Sequence, residues 1–425
     1  MISFAEALRF WLKLGFISFG GPAGQIAIMH RVLVDEKKWI DESRFLHALN
    51  FSVLFPGPEA TKLATYVGWL LHGTRGGLAA GILFVLPGAL VMLALSMLYA
   101  LGRGIPAVEG ALFGIKAAVL VIVVEALIRI GRRALKSDLA IGIALVAFIA
   151  IFFFAVPFPL IVLAAGIVGF FTAVRAPAAP LEPAPGRWRQ FTVATVCGMA
   201  LWWLPMVAVL ALLGADHVLA DIGLFFSKLA VVSFGGAYAL LAYMAQQAVE
   251  TYHWMSAPEM VDGLGLAETT PGPLILVTQF VGFLAAYRDP APFAPLGAGV
   301  LGAAMTTWVT FVPPIAITFA GAPFVEQLRA NQRLSGALAA ITAAVVGVIL
   351  NLTVWFALHV LFGRVSEMRA GWLRWYAFDP LALDLKVSAL ALVAAVLAFV
   401  LKRGLVELVL VMAALGVALR LLLPA

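Results

Sequence analysis

Apolar runs much longer than a soluble core requires alternate along this chain with short polar connections. Leu78–Leu101, Leu139–Val174, Phe191–Leu213, Leu296–Ala320 and Leu334–Gly363 contain no Asp, Glu, Lys or Arg. A helix needs about 20 such residues to cross a bilayer core of ~30 Å. Leu139–Val174 is long enough for two short crossings, divided at Pro157-Phe158-Pro159. Backbone groups in lipid must be satisfied internally, and no alternating ten-residue strand pattern occurs, so the spans are predicted to be helical. The expected fold class is an all-α polytopic membrane protein. Its first half has interrupted apolar units at 4–34 and 42–72, then spans near 77–101, 107–128, 138–156 and 158–174. The second half begins with an additional span at 191–213. It then repeats the series at 218–250, 258–287, 295–320, 336–362, 381–401 and 404–424.

Composition sharpens this picture mainly by exclusion. The chain is 63% hydrophobic and 12% charged, with a mean hydropathy of +1.04. Soluble domains carry roughly a quarter charged residues, which places this chain in the membrane class. The net charge of +6 is mild, and no basic block interleaved with aromatics points to nucleic acid. The single cysteine, Cys197, excludes an internal disulfide and any thiolate metal cluster, and is expected to be a small buried residue. No cofactor motif, metal set or catalytic constellation is present, so neither cofactor nor enzyme activity is predicted. The start, Met1 to Glu6, lacks a basic region and a cleavage site, so no removable signal is expected.

Four prolines between Arg175 and Gln190 mark an extended linker, dividing the chain into 1–174, 175–190 and 191–425. At a constant offset of 215, residues 10–58 match residues 225–273 at 15 of 49 positions. The matches include Lys13/Lys228, Ser18/Ser233, Gly20-Gly21/Gly235-Gly236, Trp39/Trp254 and Pro56-Gly57-Pro58/Pro271-Gly272-Pro273. Shared greasiness aligns leucines, but it does not align these residues in one register. A weaker echo pairs Phe84 and Pro87 with Phe311 and Pro314. An even number of crossings before the linker and one extra span after it predict that the second repeat is inverted, a recurrent architecture of secondary transporters. Basic residues agree. If the interrupted units are re-entrant hairpins and the N-terminus is cytoplasmic, 16 Lys and Arg fall inside and 5 outside. Broken full spans would give 12 against 9.

The interruptions are the candidate site. Gly20-Gly21-Pro22, Pro56-Gly57-Pro58, Gly235-Gly236 and Thr269-Thr270-Pro271-Gly272-Pro273 break helices inside apolar segments. Irregular backbone at membrane depth is tolerated only where protein or a watery cavity surrounds it. Each break opens a new helix, whose free N–H groups and positive dipole end favour anions. Kinks alone are the simpler alternative, but paired breaks at corresponding places point to a transport site. Intramembrane charges fall nearby: Lys13 and Lys228 at equivalent positions, and Glu59, Lys62 and Glu268 beside the Pro-Gly-Pro strings. Such charges need partners or water. Glu6 and Arg9 suit interfacial positions, and lysines at helix ends reach headgroups as an alternative to lining a pathway.

The strings Phe19–Met29, Phe55–Trp69 and Leu264–Phe283 resemble the signature segments of the chromate ion transporter family in its long-chain, two-domain form. One position departs from that pattern: Gly24 stands where a His often follows. The resemblance implies chromate export across the inner membrane, driven by the electrochemical gradient and giving chromate resistance. A dianion site would then draw on Lys13, Ser18, Gly20, Gly21, Pro56, Gly57, Pro58, Lys62, Lys228, Ser233, Gly235, Gly236, Thr269, Thr270, Pro271, Gly272, Pro273 and Gln279, with Glu59 and Glu268 as proton-coupling carboxylates. Sulfate is a close tetrahedral analogue, so a sulfate or other oxyanion importer stays open. The expected partners are the anion and the lipid bilayer, with room for a homodimer.

Overall fold

The computed structural model describes residues 2–19, 21–102, 104–173, 187–234, 237–324 and 331–422. Helices dominate: α1 (Phe4–Ile17), α2 (Gly21–His30), α3 (Glu42–Leu54), α4 (Glu59–Leu101), α5 (Pro106–Ala134), α6 (Asp138–Phe154), α7 (Phe158–Thr172) and α8 (Arg187–Leu212). They continue as α9 (Val218–Val231), α10 (Ala237–Gln246), α11 (Ala257–Thr269), α12 (Val277–Arg288), α13 (Pro295–Gly321), α14 (Gln332–Leu361), α15 (Leu385–Ala395) and α16 (Leu405–Leu422). Among the described residues, six helices are long and apolar enough to cross a membrane: 59–101, 106–134, 188–212, 295–324, 332–361 and 405–422. One antiparallel hairpin, β1 (Val365–Ala370) with β2 (Leu373–Phe378), interrupts the otherwise helical chain between α14 and α15.

The interrupted units are built from short rods. α4 is not one rod, because His72 and Gly73 leave helical dihedrals and divide it into arms 59–71 and 74–101. At 1.5 Å per residue, α1, α2, α3, the arm 59–71 and α9 to α12 each reach only about 15–21 Å, short of a full crossing. The proposed linker lies largely outside the described residues, as do Gly20, Gly235 and Gly236.

The repeat is present in backbone detail. A π-helical turn at Arg31–Glu36 recurs at Gln247–Thr251. It is closed by Lys37 N–H to the Val32 carbonyl in one half and Tyr252 N–H to the Gln247 carbonyl in the other. The next residues, Lys38 and His253, adopt φ of +50° and +53°. Each of these pairs keeps the offset of 215.

The chain forms two compact units that do not follow the two halves. One comprises Met1–Ala94, Thr172–Ala237 and Thr270–Gly336, and the other Leu95–Phe171, Tyr238–Thr269 and Ala337–Ala425. In the first, α13 packs on α8, α9 and α12. Small residues let backbones meet there: a Cβ on Gly302 would lie 2.2 Å from the Gly282 carbonyl. Cys197 is exposed on α8 rather than buried. That helix buries little of its length, and an apolar thiol suits a lipid-facing surface. In the second unit, α5 packs on α11, α15 and α16. The hairpin is fastened by Arg374, which is 2% exposed. Its guanidinium donates to the Ile151 and Phe152 carbonyls at the end of α6 and to Glu250, which also accepts from the Tyr376 hydroxyl.

Candidate functional site

The breaks at Ser18, Gly57, Ser233 and Gly272 all lie in the first compact unit. They are hydrogen-bonded in pairs, each pair joining the two halves of the chain. The Gly57 N–H donates to the Ser233 carbonyl at 3.0 Å, and the Gly272 N–H donates to the Ser18 carbonyl at 2.7 Å. Adding 215 to Ser18 gives Ser233, and adding it to Gly57 gives Gly272. Exchanging the halves therefore turns one bond into the other, as a two-fold operation does. The serine two residues before each Gly-Gly string accordingly meets the Pro-Gly-Pro break of the opposite half.

Further contacts keep this reciprocity. A Cβ on Gly57 would come within 2.6 Å of Pro314, and a Cβ on Gly88 within 2.1 Å of the Pro271 carbonyl. Pro314 and Pro87 are themselves equivalent at the offset of 227. Glycine is required at Gly57 and Gly272, whose φ values are +108° and +91°. The bends expose amide donors that normal helices would consume, and the opposite half supplies their acceptors.

The polar side chains do not obey the same symmetry. Lys62, one turn into arm 59–71, is 1% exposed and donates to the Phe55 carbonyl. Its counterpart in the second half is Val277. Glu59 is half-buried in the same turn, and its carboxylate interacts electrostatically with Lys62. At the other Pro-Gly-Pro break, Gln25 donates to the Gly272 carbonyl at 2.5 Å, and its counterpart is Leu240. Gln279 is anchored by donation to the Ala89 carbonyl. Buried oxygens without a hydrogen-bond partner cluster in this unit: the hydroxyls of Ser18, Thr61 and Thr310 and the amide oxygens of Gln25 and Gln279. Buried polar atoms are seldom left so, and hydroxyls with spare donor capacity are suited to an anion.

The other expected residues divide clearly. The Ser233 hydroxyl turns back to the Ala230 carbonyl, and the Thr269 hydroxyl to the Leu266 carbonyl. Thr270 is buried. Lys13 and Lys228 stand exposed on α1 and α9, so they do not gather with the buried break residues. Glu6 is exposed and pairs with Lys37 at 2.9 Å, as an interfacial charge does. Glu268 lies in the second unit, buried, and accepts a hydrogen bond from the Tyr238 hydroxyl at 2.9 Å. Lys116 and Glu125 share α5 but turn to separate partners, Asp262 and Arg129.

Gln25 and Tyr238 were not singled out by sequence. A signal existed for Gln25, an amide in an otherwise apolar helix beside a Gly-Gly break. Tyr238 offered none, since tyrosine is common in such helices.

The family profile described as Chromate transporter matches residues 5–170 and 220–419. A chromate transport protein of Pseudomonas aeruginosa is 32% identical over 374 residues, covering 87% of this chain and 85% of its own length. A chromate transport protein of Cupriavidus metallidurans is 29% identical, covering 81% and 80%. A probable chromate transport protein of Synechococcus elongatus is 28% identical, covering 82% and 83%. No solved structure is significantly similar.

Proposed function

Because the chain belongs to the chromate transporter family, we propose that it exports chromate from the cytoplasm across the inner membrane, coupled to the proton gradient, and so confers chromate resistance. The observation that carries this reading is the reciprocal pair of breaks with a buried ammonium, Lys62, in the same compact unit. Glu59 offsets part of the cost of burying that ammonium, and an arriving dianion adds a further counter-charge. The unpartnered hydroxyls of Ser18, Thr61 and Thr310 are candidate donors to its oxygens. Helix openings after Pro58 and Pro273 add positive dipole ends.

Export suits the energetics. Moving a dianion out of a cell that is negative inside is downhill by roughly 4–5 kcal/mol per 100 mV. Coupling to inward proton movement adds the pH gradient, with Glu59 and Glu268 as the carboxylates placed to exchange protons. The opposite orientation of the two halves in the membrane belongs to the same reading.

Radiolabelled chromate flux in proteoliposomes tests the proposal. Gradient-dependent chromate movement, competed only weakly by sulfate, is expected. Absence of chromate flux, or preference for sulfate, would refute it. Single cysteines replacing Lys37 and Arg133 should label from the cytoplasm, and those replacing Asp216 and His253 from outside. Labelling of Lys37 and His253 positions from one side would remove the inverted arrangement.

A further inference from the structure

A second polar site lies in the other compact unit, with Asp262 on the helix that leads into the Thr269–Pro273 break. α5 and α11 enclose, with the ends of α4 and α16, a cavity of about 360 Å³ whose polar walls are Tyr99, Glu109, Lys116, Asp262 and Arg420. Asp262 is 4% exposed. One of its carboxylate oxygens lies 3.3 Å from the Lys116 ammonium, and the other accepts from the Tyr99 hydroxyl at 2.9 Å. Glu109 and Arg420, both substantially exposed, pair with each other. The cavity therefore runs from a solvated ion pair to one whose carboxylate is buried and whose ammonium is partly exposed.

We propose that this cavity is the proton entry site of the transporter, with Asp262 as the group that takes the proton and Lys116 as its counter-ion. The proposal rests on the proton-coupled reading above and adds a site that reading does not contain.

Charge balance selects the ligand. Two cations and two carboxylates cancel, so a dianion meets no net attraction. A metal cation would have to sit beside the Lys116 ammonium. A proton suffers neither objection: it moves from water onto an Asp262 oxygen and leaves Lys116 as an unbalanced positive charge. Stability alone is a weak reason to keep a carboxylate buried beside a partly exposed ammonium, since such pairs often do no better than apolar residues of similar volume.

The surroundings agree. α11 carries Glu259 toward its start and Glu268 two turns beyond Asp262, about 9 Å along the axis. From α5 come Lys116, Glu109 and the Glu125–Arg129 pair; from α4, Tyr99; from α16, Arg420, with Glu407 at its far end beside Arg403. Three buried carboxylates thus lie along α11: Glu259 accepts from the Ser256 N–H at its start, while Asp262 and Glu268 each accept from a tyrosine hydroxyl. In the topology expected from the basic residues, the 101–106 connection and the C-terminal end of α16 are on the outside. The cavity mouth then faces the side from which protons enter as chromate leaves.

The test uses the full-length protein in proteoliposomes, with chromate counterflow and gradient-driven chromate movement measured on the same preparation. One unit of pH gradient should change the wild-type chromate distribution about tenfold for each proton coupled. Asp262→Asn should keep counterflow and lose that response. Tyr99→Phe, which deletes only the hydroxyl, should alter the pH profile of flux without abolishing it, so a poorly inserting Asp262 variant does not leave the matter open. Asp262→Asn with a normal gradient response, or loss of counterflow and coupling together, would overturn the proposal, as would a Tyr99→Phe profile identical to wild type. A wild-type protein that moves chromate without any gradient response refutes the coupling reading itself, and one that moves none refutes the transport reading.

Discussion

The two Pro-Gly-Pro breaks are equal in backbone and unequal in chemistry. Both hold glycine at positive φ, and both donate that glycine's N–H to the serine of the opposite half. Yet Lys62 stands one turn beyond the first break, where the second has Val277, and Gln25 caps the second break, where the first is met by Leu240. Duplication supplied a symmetric frame, and substitution then placed the cation on one side only. If the proposed dianion binds in this frame, Lys62 should draw it off-centre, towards the first half's break.

The largest effect should come from challenging the backbone equality. Gly57→Ala combines a disfavoured φ with a close approach to Pro314, while Gly272→Ala meets nothing nearer than 3.4 Å. Strain of about 1–2 kcal/mol applies to both, and overpacking of about 1–3 kcal/mol to Gly57 alone. Thermal unfolding in detergent should rank Gly57→Ala as the more destabilised. Equal losses would show that the two breaks are packed alike.

Moving the cation sharpens the comparison. Lys62→Met should weaken chromate binding by roughly 1.5–3 kcal/mol, the range for hydrogen bonds to charged groups. That is about 10- to 150-fold, readable by equilibrium binding of labelled chromate. The double substitution Lys62→Val with Val277→Lys should restore part of the affinity if the two positions face one site. Unchanged binding in Lys62→Met would remove the ammonium from anion recognition.

A smaller loss is expected on the other side. Gln25→Leu, which adopts the residue of the equivalent position, removes one donor from the Gly272 carbonyl and should cost about 0.5–1.5 kcal/mol of stability. A gain in stability would mean that the amide oxygen left without a partner outweighs the bond.

The smallest effect concerns how the helices leading to the breaks begin. Asp41 caps α3, accepting from the Ser43 hydroxyl and the Arg44 N–H, which hold its carboxyl below the usual range. Its contribution is present above the ordinary aspartate value and disappears as pH falls through the lowered one. Amide protection in the first turn of α3, taken relative to the intrinsic exchange rate at each pH, should fall below about pH 4, near the ordinary aspartate value. Asp41→Asn, a cap without that proton, should flatten the dependence.

Much of this was legible in the chain. Gly-Gly and Pro-Gly-Pro in one register revealed the repeat because their backbone roles admit few substitutes, and the matching Trp and Lys are not aligned by shared greasiness. Uncharged length marked the helices at 74–101, 188–212, 295–324 and 332–361, whereas those at 106–134 and 405–422 carry charges inside their apolar pattern. Equivalence does not reveal contact, however: an offset says that Ser18 matches Ser233, not that Ser18 meets Gly272. Lys13 and Lys228 share their surroundings as well as their position, since both stand exposed, but equivalence alone does not distinguish a pathway lysine from one that reaches headgroups. Lys116 and Asp262 lie too far apart in sequence for spacing to suggest their pairing. The hairpin escaped because Arg374 is a charged residue in a polar connection, and its burial depends on carbonyls at the end of α6.

The crossed bonds between the breaks also set an order of events at the ribosome. When the first half has been made, the Gly57 amide still lacks the Ser233 carbonyl, and the Ser18 carbonyl still lacks the Gly272 amide. A buried group left so costs about 1–3 kcal/mol. The nascent first half must therefore wait with its breaks solvated or loosely closed until its sister arrives. Two separately synthesised halves should find each other by the same bonds, whereas either half made alone should be a target for quality-control proteolysis.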